Sequence, residues 1–310
     1  MQFWALLVDS FRESRDRKIF WVMLILSVVG AGAMACVAFE PGKINLLFGM
    51  WEYDVARFTG PGGVLRSDLI TTLVVEWLMD TLLGWIGVLL AIIATAGFIP
   101  AMMERGAIEV LVSKPIARWR LFLSKYLSAM VFILIQAAVF VLLTFLVAGL
   151  CWRTWLPAYL LAIPLVVALY SYVYCVAVLV AVFSRSTIAA VLVTLGAWVA
   201  FAGVQNLDDA FILFPDWQKQ RTLYQIVHGA RWVVPKTQDI TYLAKKWTRA
   251  AYGTELVPTP DEEGRHLLDK AEAVEAERKA IPAYQSIGSS LLFEAALVLV
   301  AMWRFSRQDF

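Results

Sequence analysis

Charge is scarce in this chain. Of 310 residues only 17% are Asp, Glu, Lys or Arg, and 60% are hydrophobic, whereas a soluble domain carries about 25% charged and about 45–50% apolar residues. A water-exposed globule is thereby excluded. Histidine is nearly missing too: His228 and His266 lie far apart, without the HExxH spacing of a zinc hydrolase. The three cysteines, Cys36, Cys151 and Cys175, are odd in number and show no CxxC pair, so neither a disulfide framework nor a zinc site follows. A Gly-x-Ser-x-Gly nucleophile elbow is absent. The only Gly-Lys pair is Gly42-Lys43, where a P-loop would need glycine in place of Val37 and Ser or Thr in place of Ile44. This chain therefore does not bind ATP in that way, and no enzyme class has a motif to rest on. The net charge of +2 argues against nucleic-acid binding.

What is present is apolar sequence in blocks of about twenty residues, the length a helix needs to cross roughly 30 Å of hydrocarbon. The pattern predicts an all-α integral membrane protein with six transmembrane helices. Gln2 to Lys18 reads as an amphipathic helix along the membrane surface, with Phe3, Trp4, Leu7, Val8 and Phe11 on one face. The first span is expected at about Ile19–Phe39; its basic approach is long and further spans follow, so it reads as an uncleaved span rather than a signal peptide. Ser27, Ala31 and Ala35, spaced four apart, allow close packing. Glu40 to Asp68 reads as a polar loop. The second span begins near Thr72 or Leu82 and stops at Pro100. The third covers about Leu127–Leu150, and the fourth about Trp155–Phe183, long enough to tilt or to bend at Pro164. A minimal turn at Ser184-Arg185-Ser186 leads to the fifth, about Thr187–Val204, and Ser286–Trp303 forms the sixth.

The amino terminus, the Arg105–Lys125 loop, the Arg185 turn and the Arg304/Arg307 tail fall on one side of six spans. By the positive-inside rule that side is the cytoplasm. Residues 1–206 then form a membrane domain, 207–285 an extracytoplasmic segment, and 286–310 the last span with a cytoplasmic tail. Within the external segment, Asp261 to Lys279 follows Pro260 and reads as a solvated helix. Trp77, Trp152, Trp155 and Trp303 near span ends form an interfacial belt.

Gly106 and Pro115 bracket about two helical turns on the cytoplasmic side, with Glu104, Arg105 and Glu109 available to a soluble partner. The stretch Phe98–Tyr126, FIPAMMERGAIEVLVSKPIARWRLFLSKY, resembles the segment after the second span in ABC-2-type permeases. Glu104, Arg105, Gly106, Ile108, Glu109, Leu111, Ser113, Lys114, Pro115, Ile116, Arg118 and Lys125 carry the match, while Val112 and Ser124 depart from the usual leucine and glycine. The aromatic and basic ending Trp303–Phe310 is similar to the family's, and the long segment before the last span is the weakest match. The resemblance implies a non-catalytic permease subunit of an ABC exporter, with a coupling helix at about 104–118. It also implies a separate ABC ATP-binding subunit, which would bind the ATP, and a second permease copy or paralogue. No cofactor is expected in this chain. The expected location is the cell inner (plasma) membrane, with both termini cytoplasmic. A membrane scaffold presenting the external segment to a partner is the alternative.

Inside the membrane, Glu294 stands out, since a charged side chain at mid-helix costs about 2.5–3.5 kcal/mol on insertion scales. Either a transport path or an interhelical hydrogen bond accommodates it. Glu76 and Asp80, four apart, read as a wetted outer face before they read as a transport-path site. Tyr170, Tyr172 and Tyr174 are expected to pack within the bundle.

Overall fold

The computed structural model describes residues 12, 15, 16, 18–40, 43–46, 50–54, 78–104, 117–152, 155, 157–214, 221–252 and 283–308. Six helices in it are long and apolar enough to span: Lys18–Ala35, Gly84–Met102, Arg118–Cys151, Pro157–Ser184, Thr187–Phe211 and Tyr284–Ser306. The chain is an all-α integral membrane protein, as its apolar blocks predict. Most of the amphipathic stretch Gln2–Lys18, and all of Asp261–Lys279, lie outside the described residues.

The first span is α1 (Lys18–Ala35). Its Ser27 and Ala31 are buried where α1 packs on α4 (Arg118–Cys151), and Gln136 Nε2 of α4 reaches the carbonyl of Phe20 at 3.1 Å. The second span is broken: a π-helical stretch, Leu78–Gly87, runs into α2 (Val88–Thr95) and then α3 (Phe98–Met102). Pro100 does not stop it, because in the first turn of α3 its missing N–H is not needed for an intrahelical bond. Helix α4 starts at Arg118 rather than near Leu127, since the basic approach to the span is itself helical.

A 3₁₀ turn, Pro157–Leu161, leads into α5 (Ala162–Ser184). Every residue of α5 from Leu169 to Val178 is buried, so this helix is the hub of the bundle, apolar and covered all round. Pro164 falls in its first turn, where proline is tolerated. Arg185 ends α5 in the left-handed region (φ 52°), its amide donating to the Ala181 carbonyl at 2.9 Å. Ser186 then caps α6 (Thr187–Leu213), its Oγ accepting from the Ala189 amide at 3.4 Å. The expected minimal turn is thus a left-handed residue followed by an N-cap.

Two features depart from the sequence reading. The first loop contains an antiparallel meander, β1 (Val37–Glu40), β2 (Lys43–Leu46) and β3 (Trp51–Asp54), pairing Val37 with Leu46 and Leu46 with Trp51. Four-residue strands are too short to show alternation above their turn residues, so they read as loop. Trp152 at the end of α4 donates to the Val37 carbonyl at 2.7 Å and ties the meander to the bundle. Beyond it, α6 continues to Leu213 and is followed by α7 (Arg221–Val233) and α8 (Thr237–Tyr252). Helix α8 packs on α5, α6, the 3₁₀ turn and the π-helical stretch. The first half of the segment before the last span is therefore docked on the bundle. The last span is α9 (Ala283–Ser306), which lies on α5 and α4.

Candidate functional site

Helix α9 presents one packing stripe. Ser286, Ser290, Ala301 and Phe305 are buried along it, and Glu294 falls on the same face by the 3–4 residue spacing of a helix. The stripe drops Glu294 between α4 and α5. The Tyr126 hydroxyl of α4 donates to Glu294 Oε1 at 2.7 Å, and the Ser171 Oγ of α5 lies 2.8 Å from Oε2. Ser171 Oγ is also 2.9 Å from the carbonyl of Ala168. The Tyr126 ring leans on Tyr174, centroids 5.6 Å apart, and Tyr174 stacks on Tyr170 at 5.0 Å. Thr95 of the second span shares a hydrogen bond with the Tyr170 hydroxyl. A ladder of hydroxyls and rings thus links four spans around one carboxyl. Tyr170, Tyr172 and Tyr174 are wholly buried, packed as expected.

At the end of the bundle where α5 and α9 stop, Arg118 opens α4. Its guanidinium donates to the carbonyls of Gln308 (2.6 Å) and Ser306 (3.3 Å). The last carbonyls of a helix lack intrahelical donors and carry the negative end of its dipole, so a cation there satisfies both. Gln308 in turn donates from Nε2 to the Val182 carbonyl of α5 at 3.0 Å. One arginine thus holds the starts and ends of three spans together. Glu104 sits exposed after α3. Arg105, Gly106, Glu109, Lys114 and Pro115 lie outside the described residues, as does Glu76; Asp80 lies on the π-helical stretch, its side chain outside the description.

A third cluster went unread in the sequence. Arg231 of α7 pairs with Asp208 of α6 and lies 4.0 Å from Asp239 of α8; Ser286 of α9 donates to Asp239 at 2.7 Å. His228 Nδ1 is 3.2 Å from Asp208. Lys236, also buried, donates from Nζ to Ser289 (3.0 Å) and rests 4.4 Å from the Trp232 ring centroid. Gln205 closes the group, donating to the Pro235 carbonyl and accepting from the Gln238 amide, both at 2.9 Å. Burial opposes the charge on Arg231, but Asp208 and Asp239 outweigh it and its pKa rises. For Lys236 burial wins, aided by Arg231 and opposed by Asp239, and its pKa falls. The available sequence signal was Arg231 on an amphipathic stretch, together with Asp208 at the end of an apolar run. Among the described residues no group of three His, Cys, Asp or Glu is placed to hold a metal ion.

Compared with known families, residues 4–310 match the model described as ABC-2 family transporter protein. No curated protein matches the chain.

Proposed function

Since the chain belongs to the ABC-2 transporter family, as a permease-type membrane subunit of an ABC transporter, we propose that it forms the substrate path of an exporter driven by a separate ATP-binding subunit. The family match over nearly the whole chain carries this reading. The ATPase docks on the segment from Glu104 to Arg118, with Glu104, Arg105 and Glu109 facing it and Gly106, Lys114 and Pro115 shaping a short helix. Arg118 supports that assignment: it directly follows the segment, begins α4 and grips the end of α9. A push on the segment would therefore reach two spans at once.

A second permease copy or paralogue completes the path, and ATP is bound and hydrolysed on the partner. Transport proceeds by alternating access, the partner's closure tilting the second and third spans. Glu294 lies on or beside the path; Glu76 and Asp80 belong to its outer mouth. The protein sits in the cell inner membrane with both termini in the cytoplasm, as the basic loops require. Tagged protein purified in mild detergent is expected to bring down a P-loop ATPase, and Glu109→Lys is expected to lose it. Wild-type protein that recovers no ATPase would overturn the exporter reading in favour of a membrane scaffold.

A further inference from the structure

Opposite the packing stripe that holds Glu294, helix α9 turns a second face away from the bundle. Leu292, Leu299, Trp303, Arg304 and Arg307 are all exposed there, and their spacings of three, four and seven keep them on one side of the helix. Followed toward the end of α9, this stripe changes from aliphatic to aromatic to basic. From Leu292 to Trp303 it covers roughly 15 Å at about 1.5 Å per residue, the depth of one leaflet of a hydrocarbon core of about 30 Å. A phospholipid has the matching order, acyl chains first and an anionic phosphate at the end.

The two guanidiniums are held in place without being neutralised. Arg304 Cζ lies 5.7 Å from the ring centroid of Phe183 on α5, and Arg307 Cζ lies 4.5 Å from that of Trp303. Both rings are exposed at this end of the bundle. Among the described residues no carboxylate is within ion-pair distance of either arginine. The helix-end carbonyls of Ser306 and Gln308, which attract cations, already accept from Arg118. A ring face steadies a cation but supplies no oxygen, so each fork of N–H donors is left to an outside acceptor. Phosphate suits it, because guanidinium binds phosphate oxygens in a bidentate manner. An interfacial tryptophan belt accounts for Trp303 alone; it does not account for two arginines braced on rings along the same stripe.

We propose that Arg304 and Arg307 form a binding site for the phosphate of an anionic phospholipid whose acyl chains lie along Leu299 and Leu292. Trp303 and Phe183 hold the two guanidiniums at the level of the headgroup.

The test is native mass spectrometry of the full-length protein in detergent, titrated with phosphatidylglycerol or phosphatidylcholine. Wild type is expected to retain phosphatidylglycerol at the lower concentration. The double variant Arg304→Gln, Arg307→Gln is expected to weaken that retention on the order of 10-fold or more, as the loss of two interfacial cations requires. Both side chains lie at the surface, so the core is undisturbed. As a control, Arg12→Gln, Arg15→Gln removes the same charge from exposed positions before the first span and is expected to leave retention unchanged. Phosphatidylglycerol retention that survives loss of Arg304 and Arg307, or that falls equally in the control, would overturn the proposal. So would equal retention of phosphatidylcholine, or displacement of the lipid by excess inorganic phosphate, which would mark a site for the free anion. The measurement needs neither ATPase nor substrate, so its result is independent of the exporter reading.

Discussion

Replacing Arg231 by methionine isolates what holds α7 and α8 on the bundle. Arg231 and Asp208 are almost fully buried and Asp239 nearly so. At the 4.0 Å separation from Asp239, the attraction is about 4 kcal/mol at an effective dielectric constant near 20. Removing three ions from water costs several kcal/mol each, so the intact network sits near balance. Arg231→Met tips that balance by leaving two buried carboxylates without their cation, at a cost of about 3–5 kcal/mol. Read by hydrogen exchange, this is a loss of protection on the order of 10²–10⁴-fold across residues 221–252, if the docked helices open as a local unit. The triple variant Arg231→Met, Asp208→Asn, Asp239→Asn removes all three charges and is expected to recover most of the protection. Unchanged protection in Arg231→Met, or a triple variant no better than the single one, would refute the reasoning.

Lys236 has a pKa lowered in the folded state, so the unfolded chain binds more protons between that lowered value and the ordinary lysine value near 10.4, and stability rises with pH across that window. Lys236→Met should flatten this alkaline slope in pH-dependent unfolding. Glycine-to-alanine changes should differ in sign along the spans. A Cβ at Gly149 would come within 2.6 Å of the Trp155 ring and force it aside, for a net loss of about 1 kcal/mol. At Gly196 a Cβ meets nothing within 4 Å, so Gly196→Ala should gain about 0.5–1 kcal/mol from reduced chain entropy, both read by thermal unfolding in detergent. Arg118→Ala removes a charged donor from two carbonyls, and faster exchange at Phe305–Gln308, corresponding to about 1.5–3 kcal/mol, is expected; unchanged exchange would mean that the clamp does not hold the tail.

Most of the bundle could be read from the chain alone, because a span depends on local composition: twenty apolar residues in a row need no partner to prefer a bilayer. The turn at Arg185 was legible for the same reason, as a short string with its own local meaning. The strands at Val37–Asp54 were not, since four residues carry too little pattern. The length of α6 was missed because Gln205, Asn206, Asp208 and Asp209 look like the start of a loop. In the fold Asp208 meets Arg231, and Gln205 meets the backbone around Pro235, so polar residues continue the helix without facing lipid.

Sequence by itself determined that this is a six-span membrane protein and marked Glu294 as an intramembrane carboxyl, because insertion energy adds up residue by residue. Only the tertiary structure decided what surrounds that carboxyl, which carbonyls Arg118 caps, and that Arg231 is shared by two acids. Most of those facts join residues far apart in the chain, up to the 190 positions between Arg118 and Gln308. Pairings at such range follow from which helix faces meet, and no local pattern records that.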